Sequence, residues 1–371
     1  LRTPFPQVTS QSTQTEKARL GKRPQLFNKG RKLTGDSISY DKKTGFSQAF
    51  RNIVFTDSTD ANNKNILMGD YGWYKEKVGE ALATKRALAK NFSRNADTLY
   101  VHADTLRLFS YDLRTDSAYR VLHGYFHVRA YRTDVQAVCD SLVFHSKLRK
   151  LSLYRDPIAW SDDRQILGEE INVYTNDSTL DSVYVERQAL IVQQLPDTVH
   201  FNQVSGNMLQ AYFAKGQLYQ ARVNGNAMVI NFPIEKDSSL LYQNYCEAAK
   251  MRIDIVDRKM RRYWAGPSPI AKTYPINMAP AEHTKFSNFA WFSRIRPQGP
   301  HDLFEWRAKS DENKLKILPR RAAPMQTLDK NKATGASQWE KKIEVPLETP
   351  TSPPTQTSVN DSLPSNSSNT H

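Results

Sequence analysis

Residue types capable of catalysis or metal binding are scattered through this chain of 371 residues without the spacing that either chemistry needs. The eight histidines show no helical metal-binding spacing, and His123 and His127 lie in a strand-like run, which places them far apart on one face. Ser141 and Ser161 have no nucleophile-elbow context, and there is no Gly-rich phosphate loop. The acidic pair Asp162-Asp163 falls in a turn phrase, where carboxylates stabilise the turn itself. The sequence therefore predicts a protein that is not an enzyme and holds neither metal nor cofactor.

A short phrase returns six times along the chain. Each copy begins with a small residue and a polar one: Gly35-Asp36, Gly69-Asp70, Ala103-Asp104, Cys139-Asp140, Gly168-Glu169 and Gly206-Asn207. Successive copies are 34, 34, 36, 29 and 38 residues apart, a period typical of stacked units that cannot bury an apolar face alone. Between them lies a second strand type, seen at Asn52–Phe55, Gly124–Val128, Asp156–Trp160 and Gly225–Val229. The runs are short, alternate in polarity and are separated by turns such as Asp41–Gly45 and Asn176–Ser178, which predicts an all-β, antiparallel fold of repeats of about 34 residues.

Two apolar columns follow each phrase. Two positions after the polar residue stand Ile38, Gly72, Leu106, Leu142, Ile171 and Leu209, and four positions after it stand Tyr40, Tyr74, Leu108, Phe144, Val173 and Ala211. Residues two apart share one face of a strand, so the columns predict an apolar stripe along the whole stack. The intervening Ser39, Arg107, Asn172 and Gln210 are expected to face water, with Trp73 and Val143 as exceptions. The pattern by itself favours a filled core, with an opened sandwich whose interior is accessible to lipid as the alternative, since both use the same residue types.

The composition divides the chain into four segments. We expect a basic arm or a truncated preceding repeat over residues 1–33 and the β repeats over 34–232. Terminal strands and a cap are expected over 233–306, with Tyr245–Val256 either a strand or a short helix. Residues 307–371 are polar and rich in Ser, Thr and Pro, and are predicted to be disordered. The chain opens at Leu1 without a leader, which leaves a removed signal peptide and a missing N-terminus as alternatives.

The formal net charge of +14 favours anionic partners. Basic residues cluster in Lys17–Lys32 and Arg258–Arg262, but no zinc finger, helix-turn-helix or RNA-binding signature accompanies them, so nucleic acid is not an expected partner. The two cysteines, Cys139 and Cys246, are predicted to be buried thiols, with a single disulfide as the alternative. No run approaches 18 apolar residues, so no transmembrane helix is expected.

The amino-acid sequences of several segments resemble those of a known family. Leu33–Asp41, Tyr131–Gln136, Val138–Phe144 and Leu167–Ile171 are similar to the OstA-like (organic solvent tolerance-like, LptA-type) domain family, most of all to its Bacteroidetes branch. The closing segments Asn288–Phe292, Arg296-Pro297 and Asp302–Trp306 also resemble the end of that branch's domain. The resemblance covers roughly residues 33–306.

This resemblance implies a β-jellyroll, a folded-over antiparallel β-sandwich, working in the periplasm beside the inner or outer membrane. It implies a bridge for lipopolysaccharide transport in outer-membrane assembly, with lipid A acyl chains in an apolar groove and other Lpt-type jellyroll proteins docked at edge strands. End-to-end self-association is an alternative left open. The groove residues expected from the columns are Ile38, Tyr40, Leu106, Leu108, Leu142, Phe144, Ile171, Val173 and Leu209, while Gly72 and Ala211 weaken the columns at two levels. A cell-envelope scaffold with a filled core is the competing hypothesis, and an anion-binding module using the basic arm is the third.

Overall fold

The computed structural model describes residues 17–28, 30–58, 63–93, 96–112, 115, 118–176, 179–215, 217–235, 239–256 and 259–307. The predicted disordered tail from residue 308 onward, the first 16 residues of the basic arm and the turn residues Asp177-Ser178 lie outside the described residues.

Twenty strands make up almost all of the regular structure. The first ten are β1 (Lys17–Leu20), β2 (Gln25–Asn28), β3 (Arg31–Thr34), β4 (Ser37–Asp41), β5 (Phe46–Asp57), β6 (Asn63–Lys75), β7 (Glu80–Ser93), β8 (Ala96–Tyr111), β9 (Tyr119–Tyr131) and β10 (Gln136–His145). The next ten are β11 (Lys150–Tyr154), β12 (Ile158–Ser161), β13 (Arg164–Leu167), β14 (Glu170–Asn176), β15 (Thr179–Gln194), β16 (Phe201–Ala214), β17 (Gln217–Asn231), β18 (Tyr242–Val256), β19 (Lys259–Gly266) and β20 (Ile270–Pro275). Helical turns follow at α1 (Ala281–Thr284), Ser293–Ile295 and Asp302–Phe304.

Each long strand pairs antiparallel with the strands before and after it in the chain, from β5 through β10 and from β15 through β18. The short strands β11 to β14 join these two series. Among the described pairings, β1 and β2 form one end of the sheet, and β19 and β20 form the other. The prediction of an all-β, antiparallel fold is confirmed, and Tyr245–Val256 is part of strand β18 rather than a helix.

A left-handed corner interrupts every second strand of the series. Two consecutive residues with positive φ occur at Arg51-Asn52, Lys85-Arg86, Phe126-His127, Arg155-Asp156, Arg187-Gln188 and Gly225-Asn226. The pairing register shifts at these positions on β5, β7, β9, β15 and β17. Such irregularities bend a strand and increase its twist, so the aligned corners fold the sheet over along one line. The second strand type seen in the sequence contains these corner residues.

The polar residue of each repeated phrase lies beside the corner of a neighbouring strand. Asn52 Nδ2 donates to Asp36 at 3.2 Å and His127 Nδ1 lies 2.8 Å from Asp104. Ion pairs join Arg155 to Asp140 at 3.3 Å and Arg187 to Glu169 at 2.9 Å. The phrase is therefore explained by the fold line: its carboxylate or amide holds the corner residue in place.

The small residue of the phrase is explained by close packing at the same line. A Cβ on Gly168 would lie 2.4 Å from Val185 Cγ1, and a Cβ on Gly206 would lie 2.4 Å from Val223 Cγ1. Side-chain atoms do not approach this closely, so Gly168 and Gly206 each leave the space that a valine of the neighbouring strand occupies.

Folding over divides the sheet into two arms that face each other. We call the half that carries Ile38, Leu106, Leu142, Ile171 and Leu209 the free arm. The half that carries Ile53, Val101, Val128, Ala189 and Ala227 is the strapped arm. These ten residues are buried in one apolar cluster between the arms. Cys139 and Cys246, predicted as buried thiols, are buried in the same cluster and unbridged.

The strapped arm takes its name from residues 281–307, the strap, which cover its outer face. A second apolar cluster forms there between strand residues such as Trp160, Leu190 and Ile230 and the strap residues Phe286, Ala290, Phe292 and Ile295. This arm is therefore buried on both faces along its middle strands.

A row of buried glutamines holds the strap. Gln203 Nε2 donates to the Thr284 carbonyl at 2.9 Å, and Gln165 Nε2 donates to the Ala290 carbonyl at 2.8 Å. Both side-chain oxygens accept strap N–H groups, and further contacts run from Gln243 to the His283 carbonyl and from Arg296 to Gln136. Because β18, β16, β13 and β10 contribute one glutamine each, the strap crosses the strands.

One sequence expectation about the outer face of the free arm is wrong. Asn172 was expected to face water but is buried, accepting a hydrogen bond from Ser152 Oγ at 2.6 Å and donating to Glu170 at 2.9 Å. Its strand neighbour Ser152 is buried as well, so a polar pair satisfies itself there. Ser39, Arg107 and Gln210 are half-buried.

Candidate functional site

The space between the arms forms a trough whose base is a continuous row of side chains on the free arm. Cross-strand pairing joins Ile38, Ala49, Gly72, Ala83, Leu106, Gly124, Leu142, Leu153, Ile171, Val185, Leu209, Val223 and Met251. The five groove residues predicted two positions after the polar residue all lie in this row, and each is at most 1% exposed. The base is thus sealed from water.

A second row lies nearer to the mouth of the trough. It joins Tyr40, Ser47, Tyr74, Ala81, Leu108, Leu122, Phe144, Leu151, Val173, Val183, Ala211, Ala221 and Ile253. The other four predicted groove residues, Tyr40, Leu108, Phe144 and Val173, belong to this row and are half-buried. Tyr40 differs from the rest because its hydroxyl donates to Glu76 at 3.4 Å, and burial together with that carboxylate raises the pKa of the phenol.

Five neighbouring strands carry large, half-buried apolar residues in this second row. They are Leu108, Leu122, Phe144, Leu151 and Val173, which we call the mouth window. At about 4.8 Å between strands, the window is roughly 19 Å long. Half-buried apolar residues of the strapped arm, Leu99, Ile166, Ile191 and Val204, join the same cluster. The window is therefore an apolar surface that water reaches.

Sequence reasoning found only part of this surface. The phrase marks one strand of each pair, so the partners on the returning strands were missed, among them Leu122, Leu151, Leu153 and Val185. The inner face of the strapped arm was missed entirely. The alternation of apolar and polar residues in the returning strands was the signal that could have found them.

The interior is closely packed in this conformation. A cavity of about 10 Å³ lies where Gly72 leaves a gap in the base row, lined by Ile53, Phe55, Leu67 and Ala83 among others. That volume holds about one water molecule, whereas pockets for drug-sized ligands measure roughly 300 to 1,000 Å³. An acyl chain therefore enters only if the arms move apart.

Several histidines of the described chain have structural partners. His102 is buried, with Nδ1 2.7 Å from the Ala87 carbonyl and its ring against Phe304 of the strap. His283 stacks on Tyr245, and His200 lies 2.5 Å from Asp197. Within the described residues no group of three or more His, Cys, Asp or Glu side chains could hold a metal ion.

Basic side chains mark both ends of the sheet. Lys17, Arg19, Lys22 and Arg23 are exposed around β1, and Arg261 and Arg262 are exposed on β19. No helix in the described ranges is both long and apolar enough to cross a membrane.

Comparisons with known proteins give a likeness to a solved structure. No protein-family model matches the chain, and no curated protein matches it. The crystal structure of LptH, the LptA homologous periplasmic component of the lipopolysaccharide transport device of Pseudomonas aeruginosa, is similar over 38% of this chain and 93% of that chain. The sequence identity is 16% and the TM-score is 0.29, so this likeness by itself identifies neither the fold nor the function of the chain.

Proposed function

We propose that this chain binds the acyl chains of lipopolysaccharide in the trough and acts in the periplasm as a bridge for outer-membrane assembly. The observation that carries the proposal is the mouth window, where five large apolar side chains stay half-buried beside a sealed base. A contiguous, partly exposed apolar surface of this kind is typical of a ligand-binding groove. The similarity of the repeated phrases to the OstA-like family supports the same assignment.

The energetics favour this ligand class. Each methylene moved from water into an apolar environment contributes about 0.8 kcal/mol, so a long acyl chain gains several kcal/mol along the window. The phosphorylated sugar head remains at the mouth, where guanidinium groups can bind phosphate oxygens with two parallel hydrogen bonds.

The two arms differ in how firmly they are held, which indicates how the trough opens. The strapped arm packs on both faces, against the free arm and against Phe286, Phe292 and Ile295 of the strap. The strap lies against the strapped arm, so moving the free arm leaves the strap's glutamine contacts unbroken. Separating the arms therefore breaks the apolar contacts between them and leaves the packing of the strap on the strapped arm intact.

The sheet ends provide docking edges in this proposal. The end strands are β1 and β2 at one end of the sheet and β19 and β20 at the other. Each of them has one described strand neighbour, so its other edge has no described pairing. An unpaired edge can add a strand from another protein through main-chain hydrogen bonds. Because both ends are basic, stacking one copy on another would bring like charges together, and we propose acidic edges of other jellyroll proteins as the preferred partners.

A photocrosslinking experiment tests the proposal. A photoreactive amino acid is placed at Phe144 or Val173 in the second row, and at Gln210 or Tyr184, which alternate with inward-facing residues on β16 and β15. The full chain is irradiated with purified lipopolysaccharide. We expect adducts from the first two positions and none from the control positions, because only the former face the trough. Equal labelling at all four positions, or none at any, would refute acyl-chain binding in the trough.

The second candidate function is a cell-envelope scaffold with a filled core. It is favoured by the base row, in which Ile38, Leu106 and Leu142 are at most 1% exposed, and by the small size of the cavity. A scaffold would bind proteins through its edges and ignore lipid, so the same crosslinking series separates the two candidates.

A further inference from the structure

Four side chains meet across the mouth of the trough, two from each arm. Arg31 on β3 and Asp57 on β5 come from the strapped arm, and Tyr74 on β6 and Arg120 on β9 come from the free arm. Arg120 lies 2.7 Å from the Asp57 carboxylate, and Arg31 Nη1 donates to the Tyr74 hydroxyl at 2.9 Å. Arg31 also lies 3.5 Å from Asp57. We call these four residues the mouth cluster; its contacts tie one arm to the other.

The mouth cluster is largely buried. The Asp57 side chain is 3% exposed, and those of Arg31 and Arg120 are 19% and 20% exposed. Two guanidinium groups surround one carboxylate. A buried ion pair of this kind is retained at a desolvation cost, and removing one partner leaves an uncompensated charge. Such an arrangement suits an anion with more charge than a carboxylate.

The surroundings of the mouth cluster specify the rest of the ligand. Leu122 of the mouth window lies two residues along β9 from Arg120, on the same face of the strand. Phe55 lies two residues before Asp57, and its ring is 5.3 Å from the ring of Tyr74. Charge at the rim and apolar surface directly behind it match an amphiphile with an anionic head.

We propose that the mouth cluster is a gate for phosphorylated amphiphiles, in which a phosphate monoester replaces the Asp57 carboxylate between Arg31 and Arg120. The inference rests on the proposed function of the trough and adds the head-group site. A phosphate monoester carries roughly −1.5 to −2 charges at neutral pH and three acceptor oxygens, against one charge and two oxygens for the carboxylate. It therefore satisfies both guanidinium groups better than Asp57 does. A phosphate bound there places the attached chain against Leu122 and the rest of the mouth window, so that head-group binding and acyl-chain entry are coupled.

Binding of matched ligands to the full chain tests the gate. Dodecyl phosphate and dodecyl maltoside, both below their micelle concentrations, are titrated calorimetrically, together with inorganic phosphate alone. We expect dodecyl phosphate to bind about tenfold more tightly than dodecyl maltoside, since one charge-assisted hydrogen bond is worth about 1.5 kcal/mol or more. Inorganic phosphate should bind far more weakly, because it has no chain for the window.

Three variants test which residues cause the preference for dodecyl phosphate. Arg120→Gln should abolish the preference for dodecyl phosphate, and Asp57→Asn should raise the affinity for dodecyl phosphate about tenfold by removing the internal competitor. Arg107→Gln is the matched control: Arg107 pairs with the buried Glu80 within the free arm, so the preference should stay as in the wild type.

The outcomes separate the gate from the function on which it rests. If neither amphiphile binds, both the trough and the gate are refuted. If both bind equally well, the trough stands and the gate is overturned. Inorganic phosphate binding as tightly as dodecyl phosphate would also overturn it, in favour of a free-phosphate site. Should a variant fail to fold, the preference of the wild-type chain for dodecyl phosphate over dodecyl maltoside still decides.

Discussion

The strap provides the sharpest test of how the fold is held, through substitution of one glutamine. Gln165 is 0% exposed. Its amide donates to the Ala290 carbonyl at 2.8 Å, and its oxygen accepts from the Phe292 N–H at 2.8 Å and from Trp160 Nε1 at 3.2 Å. Gln165→Met keeps the length and volume of the side chain and removes all three hydrogen bonds. Three buried polar groups then lose their partner.

The magnitude follows from the cost of such groups. At about 1 to 3 kcal/mol for each buried unsatisfied group, Gln165→Met should destabilise the chain by at least about 3 kcal/mol. Detachment of the strap would return the groups to water but would expose Phe286, Phe292 and Ile295, each worth roughly 1.5 to 3 kcal/mol when buried. Both outcomes, buried groups without partners or a detached strap, weaken the binding of residues 281–307 to the strapped arm.

Urea unfolding and amide hydrogen exchange over residues 281–307 measure the effect. Gln210→Met serves as the control, because Gln210 is half-buried on the free arm and contacts only Met208 and Tyr212 among its described hydrogen-bond partners. Its effect should stay within about 0.5 kcal/mol. A Gln165→Met variant as stable as the control, with unchanged exchange in the strap, would refute the role of the glutamine row.

Three further perturbations follow from the geometry. Gly168→Ala should cost about 1 to 3 kcal/mol by overpacking at the fold line, whereas Gly299→Ala, with no atom within 4 Å of the added Cβ, should be neutral in urea unfolding; equal effects would contradict the packing account. Leu142→Ala should cost about 2 to 5 kcal/mol of stability, while Phe144→Ala should cost less and chiefly lower lipid crosslinking; the reverse pattern would contradict the assignment of base and mouth. Burial lowers the pKa of His102, so the unfolded chain takes up a proton below about pH 6.5 while the folded chain does not. Stability should therefore fall as the pH drops from 6.5 toward the folded pKa, and His102→Gln should flatten that part of the profile; an unaltered profile would exclude His102 as its cause.

The all-β fold was predictable because its signals are local. Alternation over short runs and turn residues such as Asp41–Gly45 specify strands and hairpins without knowledge of the tertiary structure. The small-polar phrase recurs at the fold line, but its spacing predicted only repeated units, and neither the fold line nor the left-handed corners beside Asp36, Asp104 and Glu169 were expected. The role of these carboxylates depends on which strand lies beside the phrase, and the residues of the phrase do not by themselves specify that pairing.

The inward direction of the predicted columns followed from strand geometry alone. The sequence did not indicate that the strapped arm forms the opposite wall of the trough. The strapped arm contacts the columns only after the sheet folds over, so Ile53, Val128 and Ala227 carry no local sign of facing them. The burial of Asn172 was missed for a related reason, since its partner Ser152 lies on a neighbouring strand. Separating a filled core from a trough required exposures of individual side chains, which periodicity does not provide.

A cap was expected over 233–306, but the contacts of the strap and of the mouth cluster were beyond sequence reasoning because they join distant segments. Gln165 meets Ala290, and Arg120 meets Asp57, only in the folded chain. Glutamine is usually a surface residue, so a buried row of them has no signature in composition.

The most direct test of lipid carriage is native mass spectrometry with lipid extraction on protein purified gently from its own compartment. The account predicts co-purified lipopolysaccharide or lipid A, retained by the Arg107→Gln control and lost in a folded Phe144→Asp variant, because the charge would lie in the middle of the mouth window. A lipid-free wild-type protein that instead retains envelope proteins would contradict it and favour the scaffold.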